Sequence, residues 1–130
     1  MLGISAGRSP HVRWRGEIRL RKSDRGGEGG FSLDSVPPSA TAVDDDLRMY
    51  PSGIRVATGR CVDLGPGVVA PQAAVVRKAL AAAFPAALCL VPVRPLERWV
   101  AMVTRRGRIA LVRPMAEDAQ VVVVLVQVWE

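Results

Sequence analysis

This chain is poor in the residues that most often perform catalysis or bind metal ions. It contains one histidine, two cysteines and one tyrosine, and only 5% of its residues are aromatic. His11 has no cysteine or histidine partner at a metal-ligand spacing, which argues against a zinc site. It is also the only histidine that could act as the base of a hydrolytic triad. We therefore expect no catalytic residues, no metal site and no cofactor.

The two cysteines, Cys61 and Cys89, lack a CxxC spacing and stand in apolar surroundings. Two buried free thiols in a reducing compartment are the favoured interpretation, and a single disulfide is the alternative. Residues 1–16 lack the apolar run of a signal peptide, and no later apolar run is long enough to span a bilayer. We expect a cytoplasmic or nuclear protein without membrane association.

Apolar residues and positive charge are both plentiful. Apolar residues make up 49% of the 130 residues, and charged residues make up 23%, as in folded globular domains. The formal net charge of +6 favours polyanions or acidic protein surfaces as partners, and the compositional bias of a GC-rich coding sequence is an equal alternative explanation of the charge. We predict a single domain over residues 1–130, in which residues 1–10 form a flexible N-terminal arm.

Apolar and polar side chains alternate over residues 11–20, which predicts a strand with one buried and one exposed face. Val12, Trp14, Ile18 and Leu20 are assigned to the buried face. Further strands are predicted over residues 54–64, 88–93, 99–104, 108–112 and 120–129. The last of these is rich in β-branched residues and uncharged, so we expect it at the centre of a sheet or beneath a partner.

An alanine-rich segment, Gln72 to Phe84, predicts the one helix, which we expect to be buried around most of its circumference. Arg105, Arg106 and Gly107 are expected to form a hairpin turn. With about six strands, the predicted fold class is mainly β with one short helix, and a small α+β domain is the alternative.

The acidic residues offer little chemistry by their spacing. Asp44, Asp45 and Asp46 are consecutive and could hold a divalent cation, but a solvated polar connection is the favoured interpretation. Asp34 and Asp63 are isolated, and we expect them to form turns or caps.

The exposed face of the first strand is the most basic feature. Arg13, Arg15, Arg19 and Arg21 are assigned to it, and side chains two residues apart on a strand repeat every ~7 Å. This repeat is about twice the ~3.4 Å rise per nucleotide, so alternate phosphates could be contacted. The low aromatic content argues against a base-stacking platform. A solvated sheet face is the favoured interpretation, and nucleic-acid binding is the alternative.

Four short segments resemble, in the same order, motifs of the trimeric dUTPase family. Gly29–Leu33 resembles the A-G-Y/F-D-L motif, and Pro51–Val56 resembles P-T-G-I/L-x-V. Pro71–Ala74 stands at the place of P-R-S-S, and Gly107–Val112 resembles G-D-R-I-A-Q-L-V. The resemblance covers residues 25–128 and implies a small β-barrel or jelly-roll sandwich, with a trimer by analogy.

The departures from these motifs imply a dUTPase-like fold without activity. Ser32 replaces the acid of the first motif, and Gln72, Ala73 and Ala74 replace the arginine and serines that would hold phosphate. The third motif and the glycine-rich fifth motif have no counterpart. Adenovirus and herpesvirus proteins derived from dUTPase, which bind host factors, are the comparison that the resemblance suggests.

The leading hypothesis is a non-enzymatic binding domain, and the resemblance implies that it is a dUTPase-derived viral accessory protein that binds host proteins. A basic nucleic-acid-binding module is the first alternative, and a small α+β enzyme or toxin with an unrecognised site is the second. The binding residues are expected to be Arg13, Arg15, Arg19, Arg21, Trp99, Arg105, Arg106 and Arg108.

Overall fold

The described part of the chain contains ten strands and one helix. The computed structural model describes residues 11–22, 30–41, 43–84 and 89–130. Its strands are β1 (Val12–Arg21), β2 (Gly30–Ser32), β3 (Ser39–Thr41), β4 (Leu47–Tyr50), β5 (Gly53–Val56), β6 (Cys61–Pro66), β7 (Cys89–Val91), β8 (Arg98–Val103), β9 (Ile109–Glu117) and β10 (Val121–Trp129). The helix, α1 (Ala73–Ala82), lies between β6 and β7. The prediction of a mainly β fold with one short helix is confirmed.

The strands form two antiparallel sheets of five strands each. Sheet A has the order β1-β10-β9-β8-β6, and sheet B has the order β3-β2-β4-β5-β7. Their inner faces share one apolar core, in which Leu20 and Val124 of sheet A pack with Leu47 and Ile54 of sheet B. The two sheets thus form a sandwich and are not closed into a barrel, because each sheet keeps two edge strands.

Strand β10 lies inside sheet A, as its valine-rich sequence predicts. It pairs with β1 on one side and with β9 on the other. Alternate residues from Val122 to Val128 face the core and are fully buried. No strand edge of this aggregation-prone segment is therefore exposed.

Helix α1 covers part of the outer face of sheet A. Its buried residues are Ala73, Val76 and Leu80, which pack with Trp99 and Leu111 in a second apolar cluster. The helix is shorter than the predicted segment 72–84. The expectation that most of its circumference is buried is wrong, because only the face toward sheet A is covered and residues 74, 75, 77 and 78 are exposed.

The strand predicted over residues 54–64 is two strands in different sheets. Gly59 adopts φ 71°, and the chain turns there, so that β5 ends in sheet B and β6 begins in sheet A. Strands β2, β3 and β4 are not predicted, because at three or four residues each they are too short to show a clear period-two pattern. The predicted N-terminal arm, residues 1–10, lies outside the described residues.

A disulfide connects Cys61 to Cys89, with their Cα atoms 6.4 Å apart. Cys61 lies on β6, an edge of sheet A, and Cys89 lies on β7, an edge of sheet B. The bond therefore joins the two sheets at one side of the sandwich. The expectation of two free thiols is wrong, and the prediction of a reducing location loses that argument.

Candidate binding surface

Three arginines of β1 form a row on the outer face of sheet A. Arg15, Arg19 and Arg21 are exposed, whereas Ile18 and Leu20, between them in the sequence, are buried in the core. In the part of the chain that the structure describes, none of the three side chains makes an ion pair or a hydrogen bond. We call Arg15, Arg19 and Arg21 the β1 arginine row.

Arg13 does not belong to this row, because a β-bulge separates it from the regular part of β1. The pairing shifts between Val12, opposite Trp129, and Trp14, opposite Val128. The Arg13 guanidinium donates to Glu130 Oε1 at 3.1 Å and to the Asp34 carbonyl oxygen at 3.0 Å. The assignment of Val12 to the buried face is corrected by the same bulge, since Val12 is 51% exposed.

An aliphatic strip runs along β10 beside the arginine row. Arg21 lies opposite Val121, Arg19 opposite Val123, and Glu17 opposite Leu125. The side chains of Val121, Val123 and Leu125 share the outer face with the arginines and are partly exposed. The surface thus combines unpaired positive charge with apolar contact area.

Carboxylates from loops of sheet B accept hydrogen bonds from the hairpin between β8 and β9. Asp34 Oδ1 accepts hydrogen bonds from Thr104 Oγ1 at 2.8 Å and from the Arg108 guanidinium at 2.9 Å. Its Oδ2 accepts from the Arg106 backbone N–H at 3.2 Å. Asp34 is therefore a link between the sheets, which corrects its assignment to a local turn or cap.

Asp46 is a second link of the same kind. Its Oδ1 accepts from the Arg105 backbone N–H and its Oδ2 from the Leu33 N–H, each at 2.7 Å. Only 1% of Asp46 is exposed, and burial raises its pKa above the ordinary value despite these two donors. The interpretation of the Asp44–Asp46 segment as a solvated connection is therefore wrong at Asp46.

Asp45 is bound by arginines. Burial acts to raise its pKa, but hydrogen bonds from Arg48 and the charges of Arg48 and Arg105 outweigh burial and hold the pKa below its usual range. Arg48 Nε donates to Asp45 Oδ2 at 3.0 Å, and Arg105 Nε donates to the Asp45 carbonyl oxygen at 2.7 Å. Asp63 fits its prediction, because its Oδ1 accepts from the Gly65 N–H in a local turn.

The expected binding residues outside β1 are largely occupied with structural contacts. Arg105 and Arg108 hold Asp45 and Asp34, and only Arg106 of the hairpin has a guanidinium without a partner among the described residues. Trp99 is 3% exposed, and its indole N–H donates to the Gly67 carbonyl oxygen at 2.9 Å. The Trp99 indole is thus not available at the surface.

Two clefts of similar size open on the sandwich. The first, of about 440 Å³, is lined by the β4–β5 turn and by Lys22, Arg94 and Glu117. Its charges are already paired, since Lys22 and Arg94 contact Glu117 at 2.6 Å and 2.7 Å. Hydrogen bonds from these two cations hold the pKa of Glu117 below its ordinary value.

The second cleft, of about 460 Å³, separates the N-terminal end of α1 from the outer face of β1 and β10. Arg15, Gln127 and Trp129 line one side, and Val69 to Ala73 line the other. We call it the α1 cleft. Sequence reasoning missed Gln127, although it is the one polar residue within the apolar run 121–129 and that isolation is a usable signal.

Among the described residues, His11 makes no side-chain hydrogen bond to a carboxylate. His11 is exposed at the start of β1, whereas Asp34 is held by Thr104 and Arg108. Within residues 11–22, 30–41, 43–84 and 89–130, no three His, Cys, Asp or Glu side chains are grouped closely enough to hold a metal ion. No helix within those ranges is long and apolar enough to cross a membrane.

Comparisons with family models, with curated proteins and with solved structures find no match to this chain. The segments that resemble dUTPase motifs fall on β2, on the β4–β5 hairpin, at the start of α1 and on β9. The resemblance to the dUTPase family stays a prediction. The viral role, the host partners and the trimer that the resemblance implies stay predictions with it.

Proposed function

We propose that this protein is a non-catalytic binding domain that recognises an extended acidic segment of another protein on the outer face of β1 and β10. The observation that carries the proposal is the β1 arginine row. Its three guanidinium groups are exposed and make no ion pair or hydrogen bond within the described residues, whereas most other arginines there hold a carboxylate or a carbonyl oxygen. Only Arg19 has an acidic neighbour across the strands, since its charge contributes to the lowered pKa of Asp118. Unpaired charge on one regular face favours a partner of opposite charge.

The neighbouring strip favours a protein segment over a nucleic acid. Val121, Val123 and Leu125 offer apolar contact next to the arginines, as the interface core of a protein partner requires. The aromatic residue of β10 on the same face, Trp129, is 3% exposed and offers no platform for bases.

The position of β1 in the sheet supports an extended partner. Among the described strands, β1 pairs only with β10 and forms an edge of sheet A. An added strand can hydrogen-bond to such an edge, and its side chains on the outer face then lie beside the β1 arginines, one strand further from the β10 strip. Glutamate or aspartate at every second position would then lie near Arg15, Arg19 and Arg21.

The direct test measures binding of a fluorescein-labelled peptide of alternating glutamate and valine. Fluorescence anisotropy should show saturable binding that weakens as salt is added. The double variant Arg19→Glu, Arg21→Glu should bind about tenfold more weakly or worse, a loss of roughly 1.4 kcal/mol. The variant Arg77→Glu, Lys78→Glu is the matched control, because it makes the same change of charge at exposed positions of α1.

Three outcomes would overturn the proposal. The peptide could fail to bind, the two variants could lose affinity equally, or a peptide of alternating lysine and valine could bind as well. Single-stranded DNA of equal charge provides the comparison with the nucleic-acid alternative. Tighter binding of the DNA, with the same sensitivity to Arg19 and Arg21, would replace the proposed partner with a nucleic acid.

A further inference from the structure

The α1 cleft presents hydrogen-bond donors that nothing in the described chain satisfies. The first of these are the N–H groups at the start of α1. Gln72 occupies the N-cap position but makes no side-chain capping bond, and the first turn holds no acidic residue. The first intrahelical bond is donated by Val76 to the Gln72 carbonyl oxygen, so the preceding amides lack helical acceptors. This end of the helix carries partial positive charge.

Gln127 supplies an independent sign of a ligand. It is 9% exposed, lines the cleft, and has no hydrogen-bond partner for its side-chain amide among the described residues. The Gln127 amide atoms are not fully enclosed, because they reach the open cleft. A molecule in the cleft could therefore hydrogen-bond to them in place of water.

Two more donors stand beside Gln127. Arg15 lies directly opposite it in the β1–β10 pairing, and its guanidinium has no partner in the described part of the chain. Trp129, which also lines the cleft, makes no indole N–H hydrogen bond within the described residues, and its indole nitrogen is not fully enclosed. A guanidinium, an amide, an indole N–H and a helix N-terminus together suit an oxyanion.

We propose that the α1 cleft binds the carboxylate of a small ligand that has an apolar body. The lining contains one full positive charge, from Arg15, which balances the single negative charge of a carboxylate. Val69, Ala70 and Pro71 form an apolar side for the body of the ligand. The cleft, of about 460 Å³, is open to solvent rather than enclosed.

This site goes beyond the proposed function, because its occupant is a small acid rather than an extended protein segment. Arg15 belongs to both surfaces, so the tests are kept apart. The acidic peptide is tested with Arg19 and Arg21, and the cleft is tested with Gln72 and Gln127. Loss of either activity can then occur without loss of the other.

The ligand series consists of N-acetyl-leucine, its amide, benzoate and inorganic phosphate, each titrated by calorimetry into the full chain. N-acetyl-leucine should bind, and its amide should bind about tenfold more weakly or not at all, because it lacks the charge. A response to benzoate identifies free aromatic acids as ligands of the site. Binding of N-acetyl-leucine but not of benzoate identifies the carboxyl end of a peptide as the ligand.

Two variants test the site, and neither is expected to unfold the protein. Gln127→Leu removes the unpartnered amide and should leave thermal stability equal or higher, but binding should fall by about tenfold. Gln72→Asp places a capping carboxylate over the helix N–H groups. It should therefore raise the unfolding temperature while it abolishes binding of N-acetyl-leucine. Arg77→Gln makes the same change of charge on the exposed helix and should leave binding unchanged.

Several results would overturn the inference. N-acetyl-leucine could fail to bind, or could bind no better than its amide. Phosphate could bind while neither carboxylic acid does, which would assign the cleft to a different ligand class. Finally, Gln127→Leu and Gln72→Asp could both bind N-acetyl-leucine as well as the unchanged protein does.

Discussion

The disulfide between Cys61 and Cys89 should contribute a large share of the stability of this sandwich. The two residues are 28 positions apart, so the bond closes a loop that contains the whole of α1. The loss of chain entropy in the unfolded state for a loop of that length corresponds to about 3–4 kcal/mol at 25 °C. With a urea dependence of about 2 kcal/mol per molar, the unfolding midpoint should fall by about 2 M on reduction.

The assay is urea unfolding followed by tryptophan fluorescence, with and without a phosphine reductant. The double variant Cys61→Ala, Cys89→Ala is the control, since it should match the reduced protein and show no response to reductant. A thiol assay on the denatured, non-reduced protein should detect no free thiol. A midpoint unchanged by reduction, or free thiols in the non-reduced protein, would refute the reasoning.

Three further changes test the packing of the sandwich. Asp46→Asn should lower the free energy of unfolding, measured in urea, by about 2–3 kcal/mol, because one of two buried N–H donors loses its acceptor. The control Asp44→Asn, at an exposed position, should lower it by less than about 0.5 kcal/mol. Gly53→Ala should lower the free energy of unfolding more than Gly107→Ala does. A Cβ at Gly53 would lie 2.7 Å from a carbonyl oxygen of β7, whereas a Cβ at Gly107 would meet no atom within 4 Å. Equal losses of stability would contradict this contact. Glu117→Gln should flatten the fall in stability on acidification. The lowered folded pKa of Glu117 means that its stabilisation is present above the ordinary value of 4.5 and is lost as the pH falls through the folded pKa.

The elements that local sequence determines are the ones that the sequence predicts well. Alternation over β1, the valine-rich run of β10 and the alanine-rich α1 are all found where their patterns place them. The glycine at the β8–β9 turn has φ 85°, as a hairpin turn of that composition requires. These patterns depend on neighbours within a few residues.

Contacts between distant segments account for most of what the sequence does not predict. Asp34 meets Thr104, which is 70 positions away, and the Asp46 carboxylate meets the Arg105 N–H, which is 59 positions away. Such pairs exist only because the two sheets bring separate loops to the same end of the sandwich. The pairing of Cys61 with Cys89 depends on topology in the same way, since each lies at the edge of a different sheet.

The candidate surface was predicted in part. The regular half of β1 displays Arg15, Arg19 and Arg21 together, as the alternation indicates. A bulge removes Arg13 from the row, and a structural network occupies Arg105 and Arg108. Period-two alternation carries no information about bulges or about distant carboxylates.

The most direct test of the proposed binding surface is chemical-shift mapping of the backbone amides during titration with the alternating glutamate–valine peptide. The largest shifts should fall on residues 15–21 of β1 and 121–125 of β10, and the hairpin at 104–108 should change little. Shifts concentrated at that hairpin, at the cleft of Glu117, or nowhere on sheet A would contradict the account.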